Sequence, residues 1–247
     1  MGEVLATNVA DGVAVLTLNR PDARNALNVE LLGRLEQALA SIAADSAIRI
    51  VVFRGAGTFF CAGGDLKERA ALPLQGGHDS LETRSRREGE LLAAIERQPQ
   101  LTLAAVDGGA VGAGLGIVCA CDLAVATRTS LFQAPEVLVG AMPAQIAPLL
   151  SACVGQRHAR RLLLSGERID ADEAHRIGLV HEVVADSIDL EWTIKRRLTK
   201  LAACDPAAVR GTKMLLDRIR SPDQSYAAFA AKTYISELGN RKTPRQH

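Results

Sequence analysis

A chain of 247 residues with 48% hydrophobic and 23% charged side chains is long enough to bury a sizeable core as one domain, with or without a helical extension. Its formal net charge of +1 gives no overall field toward nucleic acid or an anionic membrane, so neither is expected as a partner. It shows no leader-like segment and no apolar run of membrane-spanning length, which sets the expectation of a cytoplasmic protein.

The chain opens as a hairpin, because residues 4–9 and 13–18 are apolar or alternating on either side of the turn pair Asp11-Gly12. After Asn19-Arg20-Pro21-Asp22, the residues Leu27, Leu31, Leu32, Leu35, Leu39 and Ile42 recur at helical spacing. A strand over 48–53 follows, and this β-β-α-β start predicts a layered α/β domain. Residues 66–82 lack periodicity and contain Pro73, Gly76 and Gly77, which predicts a mobile loop or short helix of the kind that borders pockets. Beyond it the pattern predicts a helix over 88–97, a strand over 101–106, a helix over 115–121, and short strands over 123–126 and 130–133. From Pro143 the pattern is helical almost to the end, with 201–220 and 225–238 as the last two helices. The expected division is a core domain at 1–190 and a C-terminal helical region at 191–247.

Two glycine-rich turns carry the chemistry. Phe60-Cys61-Ala62-Gly63-Gly64-Asp65-Leu66 follows the first buried strand, and Asp107-Gly108-Gly109-Ala110-Val111-Gly112-Ala113-Gly114-Leu115-Gly116 follows the second. Each runs into a segment that can open a helix, and small residues leave backbone N–H groups bare. Two such groups aimed at one point make an oxyanion hole. Glu136, in Ala134-Pro135-Glu136-Val137, is the candidate proton-transfer group. With Leu131, Phe132, Leu138 and Val139 around it, partial burial should raise its pKa toward the range of a general base. The bland alternative is an acid on a surface edge strand.

Other chemistries lack support in the sequence. The histidines His78, His158, His175 and His181 show no pairing with serine or cysteine, no G-x-S-x-G occurs, and Gly112 to Gly116 fails the dinucleotide spacing. Cys61, Cys119, Cys121, Cys153 and Cys204 are odd in number and mostly in apolar surroundings, as reduced core thiols are. Cys119-Ala120-Cys121 is too tight for a Cys-x-x-Cys site, so no metal is expected. Basic clusters at Arg84 to Arg87, Arg157 to Arg161 and Lys195 to Arg197 read as solvated helix faces or as docking points for a polyanion.

The order of these motifs resembles the enoyl-CoA hydratase/isomerase (crotonase) superfamily. Its A-G-x-D-L turn, its second glycine turn after A-V-[ND]-G and its P-E-V/I-x-x-G segment correspond to Ala62 to Leu66, Ala105 to Gly116 and Pro135 to Gly140. The stretch from Arg161 to Ala171, running on to Ile177-Gly178-Leu179-Val180, is similar as well. The resemblance covers nearly the whole chain and implies stacked β-β-α units with a C-terminal helical trimerisation region. It implies that Gly64 and Ala113 N–H groups hold a thioester carbonyl and that Glu136 moves the proton. Ala62, Gly112 and Gly116 would line the substrate, while Arg24 and Lys67 would meet the CoA phosphates. Asp65 is expected to cap its helix and orient the turn.

The resemblance further implies an acyl-CoA substrate, no separate cofactor, and a homotrimer or hexamer. The family's hydratases commonly carry a second glutamate where Gly116 stands, and isomerases often keep only the later acid. The segment Gly140 to Pro148 is nevertheless similar to that of hydratases of branched, glutaconyl-type thioesters. Dienoyl-CoA isomerases use further carboxylates at positions matching Gly116 and Ala144, which speaks against that activity. The expectation is therefore hydration of a 2-enoyl-CoA, with Δ3-Δ2 enoyl-CoA isomerisation as the alternative. A crotonase-fold binding protein without turnover is the third reading, and it would have little use for Glu136. The end of the chain, Asn240 to His247, lacks the A-F-x-x-K-R-x-P-x-F pattern of many relatives.

Overall fold

The computed structural model describes residues 3–73 and 80–220. The expected hairpin forms from β1 (Leu5–Ala10) and β2 (Val13–Leu18), paired antiparallel. Its turn places Asp11 and Gly12 at φ 51° and 76°, the left-handed pair that tight hairpins need. The next helix, α1 (Val29–Ala44), is capped by the Asn28 side chain on the Leu31 N–H and buries Leu31, Leu32, Leu35, Leu39 and Ile42. Leu27, expected inside this helix, precedes the cap and bridges to Gly64 instead.

Strand β3 (Ile50–Gly55) leads through the first glycine turn to α2 (Leu66–Ala70), and α3 (Leu81–Glu96) leads into β4 (Leu101–Val106). The second turn contains a short strand, β5 (Gly109–Val111), before α4 (Ala113–Ala120), β6 (Leu123–Thr127) and β7 (Leu131–Gln133). The remaining elements are α5 (Ala147–Ser165), β8 (Arg168–Asp170), α6 (Ala171–Arg176), β9 (Glu182–Val184), α7 (Ser187–Leu201) and α8 (Pro206–Arg220). The stretch after Pro143 is thus not wholly helical. The two extra strands have three residues each, too few for alternation to show, and their partners rather than their sequence define them. The expected helix over 201–220 starts late, at Pro206, and the one over 225–238 lies outside the described residues.

The main sheet has the order β1-β2-β3-β4-β6-β9, parallel except for the hairpin, and the second has the order β5-β7-β8. Alternation divides the main sheet's side chains between two cores. Val51, Phe53, Ala104, Val106, Ala124 and Ala126 face the larger core with α1, α3, α4 and α5. Ile50, Val52, Leu103, Ala105 and Val125 face the smaller one, closed by Leu190 and Ile194 of α7. Helix α7 therefore crosses position 190 while packed on the sheet.

Helix α3 is longer than the apolar pattern predicts. Its first half buries Arg84, Ser85, Glu88 and Gly89, so no hydrophobic stripe announces it. Ser80 caps it by accepting from the Thr83 N–H.

Candidate active site

Both glycine turns leave the C-terminal ends of adjacent parallel strands, β3 and β4, where open α/β sheets place their ligand crevices. Backbone bonds strap the turns together: the Cys61 N–H donates to Gly109 O at 3.0 Å and the Val111 N–H to Cys61 O at 2.9 Å. The approach leaves no room for side chains. A Cβ on Gly63, whose φ is 89°, would stand 2.8 Å from Val111 O and 3.3 Å from Ala113 N, and one on Gly114 would stand 2.3 Å from Cys61 O.

The N–H groups of Gly64 and Ala113 are among those in the two turns that have no backbone acceptor among the described residues. Gly64 is bridged to Leu27 through its neighbours, since the Leu27 N–H donates to Gly63 O and the Asp65 N–H to Leu27 O. Its own N–H faces away from that bridge. Ala113 is the first residue of α4, where a helix has no internal acceptor to offer. Its N–H also lies at the positive end of the helix dipole.

Glu136 arrives from the opposite side. Strand β7 pairs with β5, and the Gly112 N–H donates to Gln133 O at 3.0 Å. Three residues later the chain enters a 3-10 turn, Glu136–Val139, which ends on Gly140 in the left-handed region. This is not the edge strand of the bland reading. A Cβ on Gly112 would lie 3.2 Å from Glu136 Oε1, so the carboxylate sits against the second turn beside Ala113. Its Oε2 is buried without a hydrogen-bond partner. Burial raises the Glu136 pKa, opposed by its own backbone N–H and by Arg69, and helped by the charge of Glu88. Of the expected apolar surround only Phe132 is buried; Leu138 and Val139 are exposed.

Asp65 caps α2, accepting from the Lys67 and Glu68 N–H groups, and pairs with Arg20 at 3.0 Å. Burial pushes its carboxyl up, but the Arg20 hydrogen bond and the two N–H donors outweigh this and hold it below its ordinary value. Arg24 is exposed, has a φ of 50°, and lies over the Phe59 ring at 5.7 Å, while its carbonyl accepts from the Ala62 N–H at 3.0 Å. Lys67 is exposed on α2. Both cations therefore flank the first turn at the surface. Gly116 is placed differently. A Cβ there would meet Leu92 Cδ1 at 2.8 Å and Ile146 Cγ1 at 3.6 Å, so its open side is filled by hydrocarbon.

Arg69 and Glu88 are site residues that the sequence did not reveal. A Cβ on Gly64 would stand 2.9 Å from Arg69 Nη1 and 3.1 Å from Glu88 Oε1. Glu88 also accepts from Arg84 Nε at 3.0 Å, and Arg84 reaches Glu68 and the Leu27 carbonyl. The one signal for them is Arg84 and Glu88 four apart in a helix without an apolar face, which suits a buried pair.

Other groups lie outside this centre. Hollows of about 580 and 280 Å³ beneath α8 contain none of these residues. The five cysteines are free, and burial pushes the Cys61 thiol up to about 12, far from a nucleophile's range. Among the described residues no group of three His, Cys, Asp or Glu could hold a metal, and no helix is long and apolar enough to cross a membrane.

The chain is similar to known proteins along most of its length. The profile of the enoyl-CoA hydratase/isomerase family matches residues 8–243. The chain is 37% identical over 205 residues to 2,3-dehydroadipyl-CoA hydratase of Escherichia coli K12, covering 83% of this chain and 78% of that one. It is 34% identical over 236 residues to the human mitochondrial enoyl-CoA hydratase domain-containing protein 2, covering 93% and 80%. Among solved structures, Pseudomonas aeruginosa AtuE superposes with a TM-score of 0.85 at 38% identity, over 97% of this chain and 93% of that one. An enoyl-CoA hydratase/isomerase from Marinobacter aquaeolei gives 0.83 at 33% identity, over 97% and 93%.

Proposed function

The chain belongs to the enoyl-CoA hydratase/isomerase family, which acts on acyl-CoA thioesters, and from that premise we propose that it hydrates a 2-enoyl-CoA. The observation that carries the reading is the buried, unpartnered Oε2 of Glu136, whose Oε1 lies against the Gly112 turn next to the unused Ala113 N–H. A carboxylate oxygen kept from water without a hydrogen bond is costly. Its raised pKa suits a group that takes and returns a proton.

In this reading the thioester oxygen accepts from the Gly64 and Ala113 N–H groups. Glu136 takes a proton from water as the oxygen attacks C3, and the C2=C3 electrons move onto the carbonyl oxygen as an enolate. The two N–H groups hold that charge. Glu136 then returns the proton to C2, and water has been added across the double bond. Ala62 and Gly112 border the acyl thioester, whereas Gly116, closed by Leu92, does not; Arg24 and Lys67 meet the CoA phosphates, and no separate cofactor takes part. The substrates include branched or glutaconyl-type thioesters, and the protein works in the cytoplasm as a homotrimer or hexamer.

One observation favours Δ3-Δ2 isomerisation as the second reading: Leu92 fills the space beside Gly116, so α4 offers no second carboxylate, and moving one proton needs one base. Incubation with matched 2-enoyl- and 3-enoyl-CoA thioesters, following water addition and double-bond migration separately, decides between them. Migration without hydration would replace the first reading by the second.

A further inference from the structure

Helix α8 meets the main sheet at the opposite end from the two glycine turns, beside Gln100 and Asp122, the residues that precede β4 and β6. No apolar face holds it there. From Pro206 to Leu216 only Val209 and Lys213 are not exposed, a stripe of two at i, i+4 spacing where an amphipathic helix buries a broad band of hydrocarbon. Met214, Leu215 and Leu216 stay in water. The contact that reaches inward is the Lys213 ammonium, which donates to Asp122 Oδ2 at 2.6 Å and to the Gln100 carbonyl at 3.1 Å from a side chain only 11% exposed. Asp122 is fixed in turn, since the same Oδ2 accepts from the Thr102 N–H at 2.8 Å and from the Thr102 hydroxyl at 3.0 Å. Among the described residues no other side chain within α8 hydrogen-bonds outside the helix. Removing one member of such a pair leaves the other charge uncompensated, so this one contact decides where α8 lies.

What the helix covers is unusual in composition. Four of the five cysteines, Cys119, Cys121, Cys153 and Cys204, line the hollow of about 580 Å³ beneath α8, and Val209, Lys213 and Leu216 form its cover. None of these thiols belongs to the mechanism above. Cys119 is 6% exposed, and burial pushes the Cys121 thiol well above its ordinary value. Lifting α8 would admit water, which raises both access to these thiols and the fraction of reactive thiolate. We propose that the Lys213–Asp122 pair is a latch and α8 the cover it holds over the thiol-lined hollow, so that release of one ion pair opens the cysteines to reaction. The device is independent of the chemistry at Glu136.

The test is alkylation of the full chain by N-ethylmaleimide at neutral pH, followed cysteine by cysteine by mass spectrometry. Cys61, buried in the first glycine turn and absent from the hollow, is the internal reference for an intact fold. Lys213→Glu sets two like charges against each other and should label Cys119 and Cys121 at least about tenfold faster than wild type while Cys61 keeps its wild-type rate. Lys213→Met keeps the length of the side chain and drops its charge, and it should also label them about tenfold faster. Lys213→Arg, which can still pair with Asp122, should stay within about threefold of wild type. Wild-type labelling of Cys119 and Cys121 in Lys213→Met overturns the proposal, because α8 is then held by packing and not by the ion pair. Acceleration of Cys61 in step with Cys119 and Cys121 in both Lys213→Glu and Lys213→Met overturns it as well, because the pair would then support the whole fold instead of one cover.

Discussion

Replacing Glu136 by glutamine sets the two demands on this side chain against each other. Catalysis needs a carboxylate that loses and regains a proton, and a positioned acid/base group is worth about 10²–10⁴ in rate, or about 2.7–5.4 kcal/mol of barrier. Stability prefers the opposite. Burial holds the Glu136 carboxyl above its ordinary value of 4.5, so the folded chain binds this proton more tightly than the unfolded chain does. Stability from this group is therefore fully present below pH 4.5 and is lost as pH rises through the folded-state value. Glutamine keeps the shape and the unpaired buried oxygen, a cost of about 1–3 kcal/mol common to both proteins, and removes the charge. Urea titrations at steps between pH 4 and 8 should show the variant gaining on wild type as pH rises, with no gain at the acid end. Over the same range the wild-type kcat/KM should climb through the raised pKa, because the base must be ionised, while the variant stays low. A variant with an undiminished rate removes Glu136 from the mechanism. One whose relative stability falls with rising pH refutes the burial argument.

Further substitutions test the turns. Gly64→Pro deletes one N–H donor and should cost about 2.7–4 kcal/mol of transition-state stabilisation; a variant with a wild-type circular dichroism spectrum and normal turnover would remove this arm of the oxyanion hole. Gly114→Ala puts a Cβ 2.3 Å from Cys61 O, a backbone atom with no easy retreat, so unfolding in urea should show a loss of about 1–3 kcal/mol. Unchanged stability would mean that the two turns are not pressed together. Gly116→Glu drives its Cβ to 2.8 Å from Leu92 Cδ1 and a charge into hydrocarbon, so it should destabilise the fold by about 1–3 kcal/mol without raising hydration of straight-chain 2-enoyl-CoA. A stable variant that hydrates such substrates faster would show that position 116 faces the reacting carbons.

What the sequence reveals and what it hides follow from the reach of each signal. The hairpin is legible because Asp11-Gly12 is a local device, and β3 and β4 are legible because a strand buried on both faces must be apolar throughout. The two turns and Glu136 are legible from small residues and a lone acid at particular places along the chain. Helix α3 is hidden in its first half because its inward residues are Arg84 and Glu88, which cancel each other's charge instead of forming an apolar stripe.

That concealment bears on function. A hydrophobic pattern reports where hydrocarbon is buried, and it is silent where charge is buried in pairs beside the site. The stretch around Arg69 and Glu88 is unreadable by periodicity because it buries ion pairs in place of hydrocarbon. Gly116 is the complementary case. Its lack of a side chain suggests an opening, yet the space belongs to Leu92, a residue of α3 whose contact with α4 no local pattern encodes. The same helix thus supplies the hydrocarbon that closes one side of the centre and the carboxylate that holds Arg69 on the other. Moving α3 by even a fraction of an ångström would change both the volume beside Gly116 and the charge beside Gly64, so acyl selectivity should be sensitive to substitutions along the buried face of α3 that touch neither Glu136 nor the two N–H donors.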